Sequence, residues 1–398
     1  MTISTERRHL HRDWLLELTS IPTATGHEQR VIEWIEAWVQ QRPELALTRD
    51  AVGNLTIALQ KDPSDRPLYI TAHLDHPAFH VERVDGRTLE LTFRGGVMDD
   101  YFLHGQIRVH HASNPPAKAT LLETTGEQRP FKRFVARLDT DAHVVPGDFA
   151  TWDLPASEID SAGQLHAPVC DDLAAGAGAL AAMDELIGKH NAGEDVSDVR
   201  LLFTLGEEVG FIGAIGACRH GTIPSDARVI ALENSRAMPE APIGQGPIVR
   251  VGDRLTIFSP TLTRDVAKVC ERLAGGPPPT ASQKLDASQS WRWQRRLMSG
   301  GACEATVFCA YDLEATCVCL PLGNYHNMGN LDAMQASQED AEATIMPETI
   351  AIEDFEGLVD LLVACGQSLG ESQSILPKLD ELWQERKFVL GVAQDQES

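Results

Sequence analysis

Short apolar runs that stop on an acid or an imidazole set the strongest limit on how this chain folds. LYITAH ends at His73 with Asp75 just beyond, and VRLLFTLG gives way to Glu207 and Glu208. ARVIALE closes on Glu233, and TCVCLPL leads into a turn-rich loop carrying His326. Between the first two lies LAAGAGALAAMDELIGKH, a small-residue helical stretch with Asp171 and Asp172 at its mouth. Strand-like runs alternating with helical ones indicate an α/β layer. In open sheets of that kind, functional groups gather outside the carboxyl ends of the strands. The expected fold is therefore α/β, a mixed central sheet flanked by helices.

Residues 8 to 41 read as amphipathic helix broken near Pro22 and Gly26, followed by strands at Leu55 to Leu59 and Leu68 to Ala72. From Phe79 to about Asp153 the period changes. FHVERV, the turn pair Asp85-Gly86, TLELTF, IRVHHA, ATLLET, FVARL and FATWDL have the alternation of strands, and no convincing helix separates them. An inserted small β domain is expected over residues 77–164, inside an α/β domain made of 1–76 and 165–398, with a role in oligomerisation or substrate access. ATVFCAY and TCVCLPL read as two further strands, and the tail from Ala393 to Ser398 as a loose polar end.

At 398 residues and 43% hydrophobic content the chain can bury a large core. A formal net charge of −24 repels long polyanions, so nucleic acid is not an expected partner. No apolar stretch approaches the ~20 residues of a membrane span or the core of a leader peptide, which points to the cytoplasm. Eight cysteines sit in apolar surroundings without the spacing of a disulfide scaffold or a paired CxxC site, and are expected as small buried hydrophobes.

Each polar position has an ordinary explanation when taken alone. His73 and Asp75, two apart and so on one face of a strand, suit a metal ligand and its orienter, but a lone His near a carboxylate is more often structural. Asp171 and Asp172 stand where an Asp commonly caps a helix. Alternatively, Asp171 bridges two cations while its neighbour supports it. Glu207 and Glu208 repel each other unless something positive lies beside them; a metal supplies that, and one of the two then faces the bound water as a base. Together with Glu233 and His326, the series matches what a two-metal hydrolase needs: a bridging carboxylate, about one imidazole and one further carboxylate per cation, and a base. His76 and His80 fall outside this pattern and are set aside.

These residues carry a resemblance to the zinc-dependent exopeptidases, and within them to the two-metal aminopeptidases that build tetrahedral particles, of the glutamyl and deblocking type. The matching segments are LTSIPTATGHEQRVIEWI, DAVGNL, AHLDHPAF, CDDLAAG, TLGEEVGFIGA, GQGPIVRVGD, SGGACEA and LPLGNYHNMG, which span nearly the whole chain. The resemblance implies two divalent ions, zinc with cobalt or manganese as alternatives. One is held by His73, Asp171 and Glu233, the other by Asp171, Glu208 and His326, with Glu207 as catalytic base and Asp75 behind His73. It implies a peptide or small amide substrate and a homo-oligomer between a dimer and a dodecamer. The family pattern has Asp-Glu after the first His, Asp-Asp-Arg at the second site and Asp at the third. Here the chain reads Asp75-His76, Asp171-Asp172-Leu173 and Glu233. Three readings follow: an aminopeptidase, the same chemistry on N-acyl amino acids or peptide carboxyl ends, and a non-catalytic homologue.

Overall fold

The computed structural model describes residues 3–61, 66–111, 114–124, 130–278, 291–370 and 374–391. The polar tail from Ala393 lies outside these. An eight-stranded sheet forms the centre, in the order Leu45–Arg49, Leu55–Leu59, Val199–Thr204, Leu68–His73, Arg228–Arg236, Glu314–Leu322, Ile248–Gly252, Gln294–Leu297. Four neighbouring strands in its middle, those ending near Thr204, His73, Arg236 and Leu322, are mutually parallel. The flanking pairings, of Leu55–Leu59 with Val199–Thr204 and of Ile248–Gly252 with Glu314–Leu322, are antiparallel. The sheet is thus mixed, as expected.

The chain runs from the His73 strand to its neighbour at Val199–Thr204, then returns to the other side of the His73 strand at Arg228–Arg236. Connections diverge there in opposite directions, which opens a crevice at the carboxyl ends. Helices cover both faces. The helix Leu173–Asn191 lies against one, with Thr5–Thr19, Gln29–Gln40 and Ile352–Ser368 around it. Its small residues set the packing distance: a Cβ on Gly178 would stand 3.0 Å from Leu358, and one on Gly176 3.5 Å from Phe203. Ile212–Arg219 and Glu304–Ala310 cover the other face.

Glu304–Ala310 corrects the strand expected from ATVFCAY. Glu304, Ala305, Val307 and Phe308 are the buried positions of that helix, a spacing of three and four. Period is poorly defined in so short an apolar run, and packing against the second core decided the conformation. Leu45–Arg49 is a further strand that the sequence reading did not include.

Six strands between Ala78 and Trp152 close into a barrel in the order Ala78–Asp85, Thr88–Arg94, Lys132–Leu138, Ala117–Thr124, Gln106–His110, Phe149–Trp152. Its interior is aromatic: Phe79 lies 4.9 Å from Phe93, 5.8 Å from Phe134 and 5.1 Å from Trp152 between ring centroids, mostly edge-to-face. After Trp152 the chain rejoins the body, because Gln164–Ala167 pairs with both Glu158–Ile159 and Glu348–Ala351. The expected boundary at 164/165 therefore falls inside the strand Gln164–Ala167, which already pairs with the body, while the last barrel strand ends at Trp152. The eight cysteines are free; Cys170, Cys270, Cys303, Cys317, Cys319 and Cys365 are buried. Among the described residues no helix is long and apolar enough to cross a membrane.

Replacing Phe79 with Ala leaves a void in the aromatic cluster and should cost about 3–5 kcal/mol in chemical denaturation. His11 tests the helical layer. Burial, reinforced by Arg7 and Arg8, pushes its imidazole down to about 4 from 6.5. The unfolded chain then takes up the proton first as pH falls, so the contribution is whole above 6.5 and lost towards 4. Wild type should accordingly lose thermal stability relative to His11→Gln between pH 6.5 and 4, and parallel melting curves would remove His11 from that role.

Candidate metal centre

All the singled-out side chains meet at the carboxyl edge of the parallel strands. His73 ends its strand fully enclosed, with Nε2 3.3 Å from Asp171 Oδ1. His326 enters from the loop after Leu322, its Nε2 3.3 Å from Glu208 Oε1 and 3.6 Å from Asp171 Oδ2. Asp171 thus stands between the two imidazoles with one oxygen toward each. His73, Asp171 and Glu208 offer atoms all within 4.8 Å of one another, as do His73, Glu207 and Glu233. Glu233 is buried within its strand, and Glu207 opens the short helical turn that follows Gly206.

Asp172 does not cap its helix: its side chain makes no capping hydrogen bond, and both its carboxylate oxygens are buried without a partner. Asp75 is the hub on the other side. Its carboxylate accepts hydrogen bonds from Thr25 Oγ1 at 2.7 Å, Glu207 N at 2.9 Å and Glu208 N at 3.2 Å. His73 Nδ1 has Asp75's backbone carbonyl at 3.1 Å, with the carboxylate farther off at 3.5 Å. The expected imidazole–carboxylate bond is therefore made chiefly by the main chain, and the carboxylate instead fixes the Glu207–Glu208 turn.

Sequence reasoning missed Glu348. Fully buried, it accepts from Cys170 N at 2.7 Å and Asp171 N at 3.0 Å with one oxygen, and from His326 N at 2.8 Å with the other. One carboxylate so holds the main chain of two site residues that lie far apart in sequence. Glu348 opens the short strand Glu348–Ala351, where an acid passes for an ordinary strand end, so no local pattern singles it out. His76, set aside above, also belongs here: it is buried, with Nδ1 2.8 Å from the Asp171 carbonyl and Nε2 3.1 Å from Asn327 Oδ1. His80 lies elsewhere, on the barrel seam, 2.8 Å from His27. The barrel reaches the site through Gly96, whose carbonyl meets His326 Nδ1 at 2.6 Å.

Charge dominates this enclosure. Burial alone would depress the His73 and His326 imidazoles, but Asp171 and Asp75 beside the first, and Glu208 and Asp171 beside the second, push both up. Asp171 is held far below the carboxylate range, because the His326 and His73 imidazoles on either side of it outweigh its burial. Burial pushes Asp172, Glu207 and Glu233 up, and neighbouring carboxylates add to it. Asp171 Oδ1 and Glu208 Oε1 are buried without hydrogen-bond partners, although each faces an imidazole nitrogen at 3.3 Å. Two ligands of one tetrahedral zinc, each at ~2.0–2.1 Å, stand about 3.3 Å apart. Unpartnered oxygens at that spacing, in a site rich in carboxylates, fit divalent cations.

A family model described as M42 glutamyl aminopeptidase matches residues 53–274. The protein YhfE of Bacillus subtilis (strain 168), which is named as an aminopeptidase, is 26% identical over 224 residues, 50% of this chain and 62% of the relative. The chain thus spans less than two thirds of that curated relative. Among solved structures, an aminopeptidase from the archaeon Desulfurococcus kamchatkensis superposes with a TM-score of 0.70 at 17% identity, covering 90% of this chain and 95% of its own. A Pyrococcus horikoshii TET1 peptidase, described as assembling into a tetrahedron or a large octahedral shell, gives 0.68 at 20% identity, covering 89% and 99%. At these identities the likeness establishes the shared fold.

Glu348→Gln should weaken zinc binding about 10- to 100-fold, the usual effect of losing a group that orients ligands, while circular dichroism stays native. Chelator competition measures it. Undiminished affinity in a folded variant would show that Glu348 does not orient the ligands.

Proposed function

The chain belongs to the M42 glutamyl aminopeptidase family, and from that premise we propose that it is a two-metal aminopeptidase releasing N-terminal residues from peptides. The convergence of His73, Asp171, Glu208, Glu233 and His326 around unpartnered buried carboxylate oxygens carries this reading. His73, Asp171 and Glu233 would hold one cation, and Asp171, Glu208 and His326 the other, with Asp171 shared. Nitrogen and carboxylate donors at this spacing favour zinc, with cobalt and manganese as alternatives. Such ions, when bound, acidify water and polarise a carbonyl oxygen.

The remaining work falls to side chains of this protein. Glu207 is the general base: it takes the proton of the attacking water on its carboxylate and passes it to the departing amine. Burial, with Glu208 and Asp75 close by, raises its proton affinity above that of an ordinary glutamate, which suits a group that must accept and then release a proton near neutrality. Asp75 keeps Glu207 in register by accepting from its backbone N–H, and Thr25 anchors Asp75 in turn. Likeness to proteins described as forming closed shells supports a homo-oligomer here too.

Glu207→Gln should keep its metal content by elemental analysis and lose turnover by about 10²–10⁴-fold, the range a general base contributes. The assay uses aminoacyl amides with free and blocked α-amines. Hydrolysis confined to free amines is expected; equal rates on blocked substrates would exclude an aminopeptidase, and undiminished turnover in the variant would remove Glu207 as base.

A further inference from the structure

Between the shared aspartate and the last imidazole stands His76, a residue outside the ligand pattern. Its ring is buried against both segments: Nδ1 is 2.8 Å from the Asp171 carbonyl oxygen, and Nε2 is 3.1 Å from Asn327 Oδ1. The carbonyl can only accept. Asn327 presents an acceptor as well, because its Nδ2 is committed to the Pro168 carbonyl at 3.0 Å, which fixes the end of the amide that faces the ring. His76 thus donates in both directions, and one rigid ring joins the peptide of Asp171 to the residue directly after His326.

The segment it reaches needs such support. His326 and Asn327 both lie in left-handed backbone, with φ of 54° and 63°, and a histidine keeps that conformation only where its surroundings over-determine it. Glu348 restrains the same two segments, but by accepting from their N–H groups. His76 supplies the donors that a carboxylate cannot. The glutamate that the family pattern has at position 76 would set acceptor against acceptor at both ends. On another side the ring lines a cavity of about 90 Å³ together with Pro22, Pro77 and Val169, so a replacement side chain finds room there.

We infer that His76 is a positioning residue: by tying the Asp171 main chain to the His326–Asn327 turn, it fixes the ligands of the second cation relative to the first. The inference rests on the two-metal reading of the centre. In that reading the cation of His73, Asp171 and Glu233 keeps two ligands on parallel strands, whereas the cation of Asp171, Glu208 and His326 depends on a loop histidine. Loss of His76 therefore falls mainly on the second ion.

The test titrates metal-free protein with zinc, followed by calorimetry, and with cobalt, whose visible absorption reports its coordination. Wild type should take up two ions. In His76→Leu the first should bind as in wild type and the second about 10- to 100-fold more weakly, with circular dichroism unchanged. His76→Gln, which retains a donor, should recover part of that loss, and His76→Glu should recover none. Unchanged affinity for both ions in His76→Leu overturns the inference alone, as does equal weakening of the two or a His76→Glu protein that matches wild type. Fewer than two ions in wild type overturns the two-metal reading and the inference together. Should His76→Leu fail to fold, the Gln and Glu variants, alike in shape, decide the matter: tighter second-ion binding with Gln upholds the inference, and equal binding overturns it.

Discussion

Too many buried carboxylates for the available imidazoles is the condition on which this structure turns. Asp75, Asp171, Asp172, Glu207, Glu208 and Glu233 meet around His73 and His326 at the edge of the parallel strands. Desolvated like charges at such separations repel strongly, and hydrogen bonds relieve only some of them. Asp75 is satisfied by Thr25 and by two backbone N–H groups; Asp172 and one oxygen each of Asp171 and Glu208 are not. The distribution is informative. The oxygens of Asp75, with their hydrogen bonds from the protein, fix the Glu207–Glu208 turn, whereas the unpartnered oxygens of Asp171 and Glu208 face the imidazole nitrogens of His73 and His326 at the spacing a cation would fill.

That division explains why part of the site could be read from the chain and part could not. His73, Asp171, Glu207, Glu208, Glu233 and His326 were legible because each interrupts or follows an apolar run, and a parallel strand delivers its carboxyl end to one edge whatever lies elsewhere. The residues that hold them in place give no such signal. Glu348 contacts Asp171 from 177 positions away, and Thr25 meets Asp75 across 50. Their roles depend on where the chain returns, which local pattern does not encode. His76 shows the same limit from the other side: its neighbours in sequence made it look redundant, while its partners, the Asp171 carbonyl and Asn327, are supplied by distant segments.

Fold class was legible for similar reasons. The helix Leu173–Asn191 and the strands on either side declare themselves by length and composition, and the β insertion by its alternation. ATVFCAY misled because seven apolar and β-branched residues satisfy either period. Only the contact of Ala305, Val307 and Phe308 with the second core makes a helix the better burial. Where local preference is divided, tertiary packing chooses.

The position of the barrel follows from the same geometry. A parallel pair such as Leu68–His73 and Val199–Thr204 needs a crossover, here provided by Leu173–Asn191. Inserting a domain before that helix leaves strand register and crossover untouched, because both ends of the insertion lie at the loop after His73. The same placement sets the inserted residues against the carboxyl edge, where they cannot avoid contact with the site. Gly96 orients His326 through its carbonyl, and Tyr101 donates to the Gly329 carbonyl in the segment that follows His326. An insertion tolerated because it disturbs no strand has thereby become part of what fixes the last imidazole, which couples the integrity of the barrel to the geometry of the centre.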